Sequence, residues 1–283
     1  MTSVLLVFLS RQLHTPTNLL LLSLAVSDFF VGLIMFFQVM FIDGCWLLGD
    51  FMCILYQYLA YIITCASVGT MVLISVDRYV AICHPLHYST RITLKTIKTS
   101  VCLCWMCSVI YPGVNLKDNL KQPGIYHSCL GECVILLNSI TEVVDLVVSF
   151  IVPISVTIVL YMRVFVVAVT QARAMRSHIA TVTLTQVSVR VTAKKSELKA
   201  ARTLGVVIVV FLMCLCPYYT FSLAGQDTLF NASSAAFVIC TFYFNSCLNP
   251  MIYAFFYPWF RKSVKFIVTL KILQQDSCDI NIL

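Results

Sequence analysis

Asp145 stands in "TEVVDLVVSFIVP", residues 141–153, a stretch otherwise fit to face hydrocarbon. Glu142, Asp145 and Ser149 are spaced i, i+3 and i+7, so a helix carries them on one face, while Val143, Val144, Val147 and Val148 make up the rest. A charge at bilayer depth costs about 2.5–3.5 kcal/mol on insertion scales, which implies a partner for any acid found there. An anion facing a cavity from the outer third of a bundle suits a cationic group arriving from outside, and Glu142 offers a second carboxylate for a diamine. The competing reading is a carboxylate in the first turns of a helix, favoured by the dipole and by water, which suits Glu142 better than Asp145. Tyr61, Tyr218, Tyr219 and Tyr243 lie in other apolar runs. Ring faces attract ammonium groups by about 0.5–2 kcal/mol, although aromatics at helical spacing are equally the stuff of plain packing.

Asp28, in "LSLAVSDFFVGL", is the second intramembrane acid. Ser67, Asn245, Ser246 and Asn249 fall at similar depth on other runs. An acid ringed by hydroxyls and amides holds a small cation such as sodium, or else forms a hydrogen-bonded polar knot without an ion. Beyond that sodium site the chain offers no metal-binding spacing and no organic cofactor. No nucleophile, base and orienting residue assemble at plausible spacing, so an enzyme is not expected.

These side chains need elements to carry them, and composition says which. Of 283 residues, 60% are hydrophobic and only 11% charged, with a mean hydropathy of +0.93, far from a soluble domain. Apolar runs at 19–41, 51–76, 99–116, 133–162, 203–226 and 228–260 each approach or exceed the roughly 20 residues that cross a bilayer as helix. Strand-like alternation is absent, so the fold expected is an all-α membrane bundle. "TSVLLVFL" at the start reads as the inner half of a further helix, which makes seven with the first truncated. The expected layout is one domain over 1–270: a partial helix at 1–9, helices at 16–40, 51–83, 97–114, 139–168, 199–224 and 232–256, and a short amphipathic helix at 258–270. A cytoplasmic tail at 271–283 follows. Pro112, Pro153, Pro217 and Pro250 lie inside the runs and mark kinks.

Sidedness follows from the basic residues. With Arg11 inside, all of the 19 lysines and arginines except Lys117 and Lys121 fall on one face, which is therefore cytoplasmic. The net charge of +7 gathers where anionic membrane lipid and cytosolic partners meet it, and nucleic acid has no place in this account. Most of the 14 cysteines sit in apolar runs as small hydrophobes. Cys53, Cys129 and Cys133 lie on the outer, oxidising side, where a Cys53 to Cys133 bridge would pin the loop over the bundle mouth, if they are not free thiols.

"SVDRYVAICHPLHY" at 75–88 and "NPMIY" at 249–253, with Cys53 and Cys133, resemble the rhodopsin-like G-protein-coupled receptors. "NSCLNPMIYAFFYPWF" at 245–260 resembles the fingerprint of the trace amine-associated receptors, as do "QLHTPTNLLLLSLAVSDFFVGL" at 12–33 and "CLGECVILLN" at 129–138. The resemblance implies a plasma-membrane, multi-pass receptor for a small amine that signals to a heterotrimeric G protein of stimulatory or olfactory type. It implies that Arg78 engages the G protein once released from Asp77 and Glu197, and that Asn249, Pro250, Tyr161 and Tyr253 reposition at the inner end. Asp28, Ser67, Asn245 and Asn249 fall where the family's sodium site lies, and Val68, Pro153 and Phe211 where its connector lies.

Three departures stand out. Counting back from Arg78, the position of the family's third-span aspartate holds Ala60. Some fish members carry the acid on the fifth span instead, and Asp145 matches that place. The implied pocket is then Ala60, Tyr61, Thr64, Glu142, Asp145, Ser149, Leu215, Tyr218, Tyr219 and Tyr243, with the amine toward the fifth span and its apolar part toward the third and seventh. Leu215 replaces the tryptophan usual before Pro217, which shrinks the pocket floor, and the outer half of the first span is missing, leaving Cys129 without its usual partner. Another aminergic receptor and a truncated, non-signalling copy are the alternatives. A transporter is disfavoured because the chain shows no internal repeat and only one mid-depth acid.

Overall fold

Backbone groups in hydrocarbon must be satisfied within their own segment, and the apolar runs do so as helices. The structure, a computed structural model, describes residues 15–42, 49–116, 139–179, 205–206, 208–220 and 232–256, with Lys265 and Thr269 beyond them. The helices are α1 (Pro16–Ile42), α2 (Gly49–Cys83), α3 (Pro85–Arg91), α4 (Leu94–Leu116), α5 (Ser139–Asp145), α6 (Val152–Ile179), α7 (Ile208–Thr220) and α8 (Ala232–Phe256). A π-helical turn, Leu146–Ile151, joins α5 to α6. Four spans are long and apolar enough to cross a membrane: Pro16–Phe37, Phe51–Cys83, Leu94–Asn115 and Ile140–Thr170. Within the described residues α7 is shorter, as is the apolar part of α8, Phe237–Asn249.

The bundle buries polar side chains among its apolar core and is greasy outside, unlike a water-soluble one. On α1, Ser23, Ser27 and Asp28 are buried while Phe29, Phe30, Leu33, Phe36 and Phe37 are exposed. On α6, Thr157 is buried while Val159, Met162, Phe165 and Val166 face out. Lipid is nearly as good a solvent for these rings and aliphatic chains as a core would be, so they can face out, whereas the polar groups gain most by turning inward.

The long helix α2 is the axis, packed by α1, α4 and α6. Close approach to α4 depends on Gly69, because a Cβ there would come within 2.5 Å of the Cys104 sulfur. Trp105 Nε1 donates to Ser23 Oγ at 3.0 Å, and Ser23 Oγ and Thr70 Oγ1 share a hydrogen bond at 3.1 Å, tying α4, α1 and α2. The inner half of the core gathers Leu20, Leu24, Met71, Ile74, Ile208 and Ile252 with Phe211 and Leu215.

Helix ends differ from expectation for local reasons. Helix α4 starts at Leu94 rather than 97 because Thr93 caps it, accepting the Thr96 amide on Oγ1 at 3.2 Å. Helix α6 runs to Ile179 rather than 168, since "QARAMRSHI" continues with residues that favour helix. The expected uninterrupted fifth helix is broken by the π turn. Pro153 has no N–H to offer the carbonyl four residues back, and the ladder widens so that the Val152 amide bonds Val147 O, five residues back. Cys53 is buried and disulfide-bonded. The first-helix remnant 1–9, most of 258–270, the tail, Cys129, Cys133 and Glu197 lie outside the described residues, as do the side chains of Pro250 and Tyr253.

Candidate functional site

Asp145 closes α5 where the helix gives way to the π turn, and its carboxylate points into the bundle with 9% of the residue exposed. Three hydroxyls hold it. Tyr61 of α2 donates to Oδ2 at 3.2 Å, Tyr111 of α4 to Oδ1 at 3.1 Å, and Ser149 of the π turn to Oδ1 at 2.8 Å. All three donors are neutral, and among the described residues no lysine, arginine or histidine lines the cavity beside them. An anion fixed by hydrogen bonds in an apolar enclosure is placed to receive a cation.

That cavity, about 140 Å³, is walled by Ala60, Tyr61 and Thr64 from α2, Asp145 and Ser149, Tyr218 and Tyr219 from α7, and Tyr243 from α8. The rings interlock: Tyr218 meets Tyr219 edge-on at 5.3 Å and Phe242 at 4.6 Å, Phe242 meets Tyr243 at 5.3 Å, and Phe150 stacks on Tyr219 at 4.1 Å. Several ring systems thus surround one carboxylate, an arrangement suited to an ammonium group carrying an apolar body. Ala60 sits with Val31, Ile34 and Ile63 in a small apolar cluster against which Tyr56 and Tyr243 pack.

Two residues expected here lie elsewhere. Glu142 is exposed and does not line the cavity, because it is one turn nearer the helix start, above the bundle rim. Leu215 is buried in the core below, lining a smaller space of about 20 Å³ with Phe211, Ser67, Asn245 and Ser246. Sequence reading missed Gln57, Cys65, Ile239 and Phe242 in the cavity wall, and Tyr111 on the carboxylate. Tyr111, just before Pro112, carries no spacing signal that ties it to Asp145.

Below lies the second acid. Asn249 Nδ2 donates to both oxygens of Asp28, at 3.0 and 3.2 Å, and all of Asp28, Ser67, Asn245, Ser246 and Asn249 are buried. The Oδ1 atoms of Asn245 and Asn249 accept no hydrogen bond among the described residues. Buried acceptors without donors beside a carboxylate fit a cation, and the adjoining space is about the size that holds one small particle.

At the inner end Arg78 pairs with Asp77, Nε donating to Oδ2 at 3.0 Å. Arg78 Nη2 also donates to Thr17 Oγ1 at 2.7 Å, and Tyr88 of α3 donates to Asp77 Oδ1 at 3.0 Å. Burial pushes the Tyr88 phenol above its ordinary range, which keeps it a proton donor. Tyr161 packs against the core near Gly205. The network holds the arginine folded against α1 and α3.

Residues 2–253 match the sequence profile of the 7 transmembrane receptor (rhodopsin family). The chain is 37% identical to trace amine-associated receptor 13c of Danio rerio, over 96% of this chain and 82% of that protein. It is 36% identical to trace amine-associated receptor 7a of Rattus norvegicus and 33% identical to receptor 6 of the same series from Pan troglodytes, each over 96% of this chain, and over 78% and 81% of those proteins. A helical bundle that buries polar groups among its apolar core and holds one acid by three hydroxyls in its outer cavity, matched to these relatives over nearly its whole length, makes the chain a multi-pass plasma-membrane protein of the rhodopsin family of G-protein-coupled receptors, belonging to the trace amine-associated receptors.

Proposed function

We propose that this receptor recognises an extracellular amine by pairing its ammonium group with Asp145 and answers by activating a stimulatory or olfactory-type G protein that raises cyclic AMP. The observation that carries the reading is the Asp145 carboxylate, buried, held by three neutral hydroxyls and faced by aromatic rings. The relatives' names as trace amine-associated receptors support the ligand class. Ala60 supports the choice of acid, since the third-span position offers no competing charge.

The mechanism follows from which elements the site joins. A cation between Asp145 and Tyr218 or Tyr219 ties the π turn to α7, and it shifts the receptor only by as much as it prefers one packing of those helices to another. At the far end the preferred packing must free Arg78 from Asp77 and Thr17 so that the arginine can meet the G protein. Asp28, Ser67, Asn245 and Asn249 are the groups that would hold sodium, supplying a carboxylate and amide oxygens. The basic loops face the cytoplasm and its anionic lipid, and Cys53 pairs with Cys133 on the outside.

Asp145→Ala tests this. Truncating one partner of a buried charge pair costs about 2–5 kcal/mol, so the amine dose-response in a cyclic AMP assay should shift by at least about 30-fold while surface expression holds. A retained response sinks the assignment.

A further inference from the structure

A second cavity of about 210 Å³ lies beside the first, between α2, α4, the π turn and α6. Thr64, Cys65, Ser149 and Tyr219 line both, so the two are neighbouring lobes that share a wall. Asp145 stands at the partition: Tyr61, which holds Oδ2, lines the first lobe, whereas Tyr111, which holds Oδ1, lines the second.

Small side chains make the room. Gly69 and Cys104 meet tightly, with Ser108 one turn above Cys104, and Pro153 below the π turn completes the wall on the fifth span. The walls are largely thiol and aliphatic, from Cys65, Val68, Cys104, Cys107, Val148 and Pro153, and the rest carry neutral hydroxyls apart from Gly69. Among the described residues no charged side chain lines the lobe, so a second ammonium group entering it would find no carboxylate there. Cys107 and Val148 are exposed, so the lobe opens sideways toward lipid. The first lobe, by contrast, is walled chiefly by rings.

We propose that this lateral lobe receives an unbranched alkyl chain of the amine whose ammonium group pairs with Asp145, so that the receptor selects alkylated monoamines over diamines. The inference rests on the Asp145 reading. The four wall residues common to both cavities, with Tyr111 reaching from the second to the carboxylate, favour the ligand's own chain as occupant, because a molecule held at the ion pair lies directly beside that space.

The test is a series of primary n-alkylamines from ethylamine to octylamine, with 1,4-diaminobutane and 1,6-diaminohexane, in a cyclic AMP assay on the full receptor. Burial of a methylene is worth about a fourfold gain in affinity, so potency should climb about fourfold per carbon over the early members and then level as the lobe fills. Each diamine should fall below the monoamine of equal carbon number. Cys107→Phe, which narrows the lobe, should bring the plateau to shorter chains, and Val148→Ala should move it to longer ones, each read against ethylamine in the same variant. An Asp145-dependent ethylamine response with a flat series overturns the lobe alone, as it would if a lipid chain holds that space. A slope that both substitutions leave unchanged does the same, since partition into the bilayer or seating among the rings would then explain it. Silence toward every amine, or responses that survive Asp145→Ala, overturns the amine reading and the lobe with it.

Discussion

A carboxylate that accepts from Tyr61, Tyr111 and Ser149 is fixed in position before any ligand arrives, and that preorganisation is what distinguishes Asp145 from a merely wet helix end. Hydrogen bonds to a charged group are worth about 1.5–3 kcal/mol, and part of that is spent here on aiming the anion. Removing one phenol, Tyr61→Phe or Tyr111→Phe, should therefore weaken amine potency about tenfold in a dose-response assay, with surface expression unchanged. Spacing alone made Asp145 and Ser149 legible, because i and i+4 meet on any helix. Glu142 shows the limit of the same reasoning: helical periodicity assigns a face but not a depth, and Glu142, one turn from Asp145 on that face, is exposed and outside the cavity wall. Tyr111 was invisible because a donor from another helix is found only once the helices are packed.

Among the elements, the π turn Leu146–Ile151 is what sets the angle at which α5 presents Asp145. A π turn holds one extra residue, and rewinding it as α-helix turns everything before it by about 100° relative to α6. Pro153→Ala supplies the missing amide and favours that rewinding, which would carry Asp145 away from Tyr61. Amine potency should drop at least about tenfold while thermal stability of the detergent-solubilised receptor holds or rises; unchanged potency would deny the turn its role. The proline was readable in the sequence as a kink, but not as a π turn. Whether a freed carbonyl is met by bending, by water or by a wider ladder depends on neighbouring helices.

For the whole molecule, buried polar groups recur at three levels of the bundle, around Asp145, around Asp28 with Ser67 and Asn249, and at Asp77. A cation at Asp28 would brace α1 against α8, where Asn249 already reaches across. The purified receptor should then melt higher in sodium chloride than in potassium chloride at equal ionic strength. The gain is about 1.4 kcal/mol when sodium is at tenfold its dissociation constant, and Asp28→Asn should erase the difference. Sequence by itself determined the helical membrane bundle, the two intramembrane acids and the family, because lipid permits only self-satisfied backbones and makes each buried charge conspicuous. Tertiary structure decided which hydroxyls hold Asp145, that Glu142 and Leu215 stand outside its cavity, and that a second lobe opens beside it. Those outcomes depend on how far each helix is rotated and how closely it approaches its neighbours, and such distances arise only when small residues such as Gly69 and Cys104 meet across the bundle.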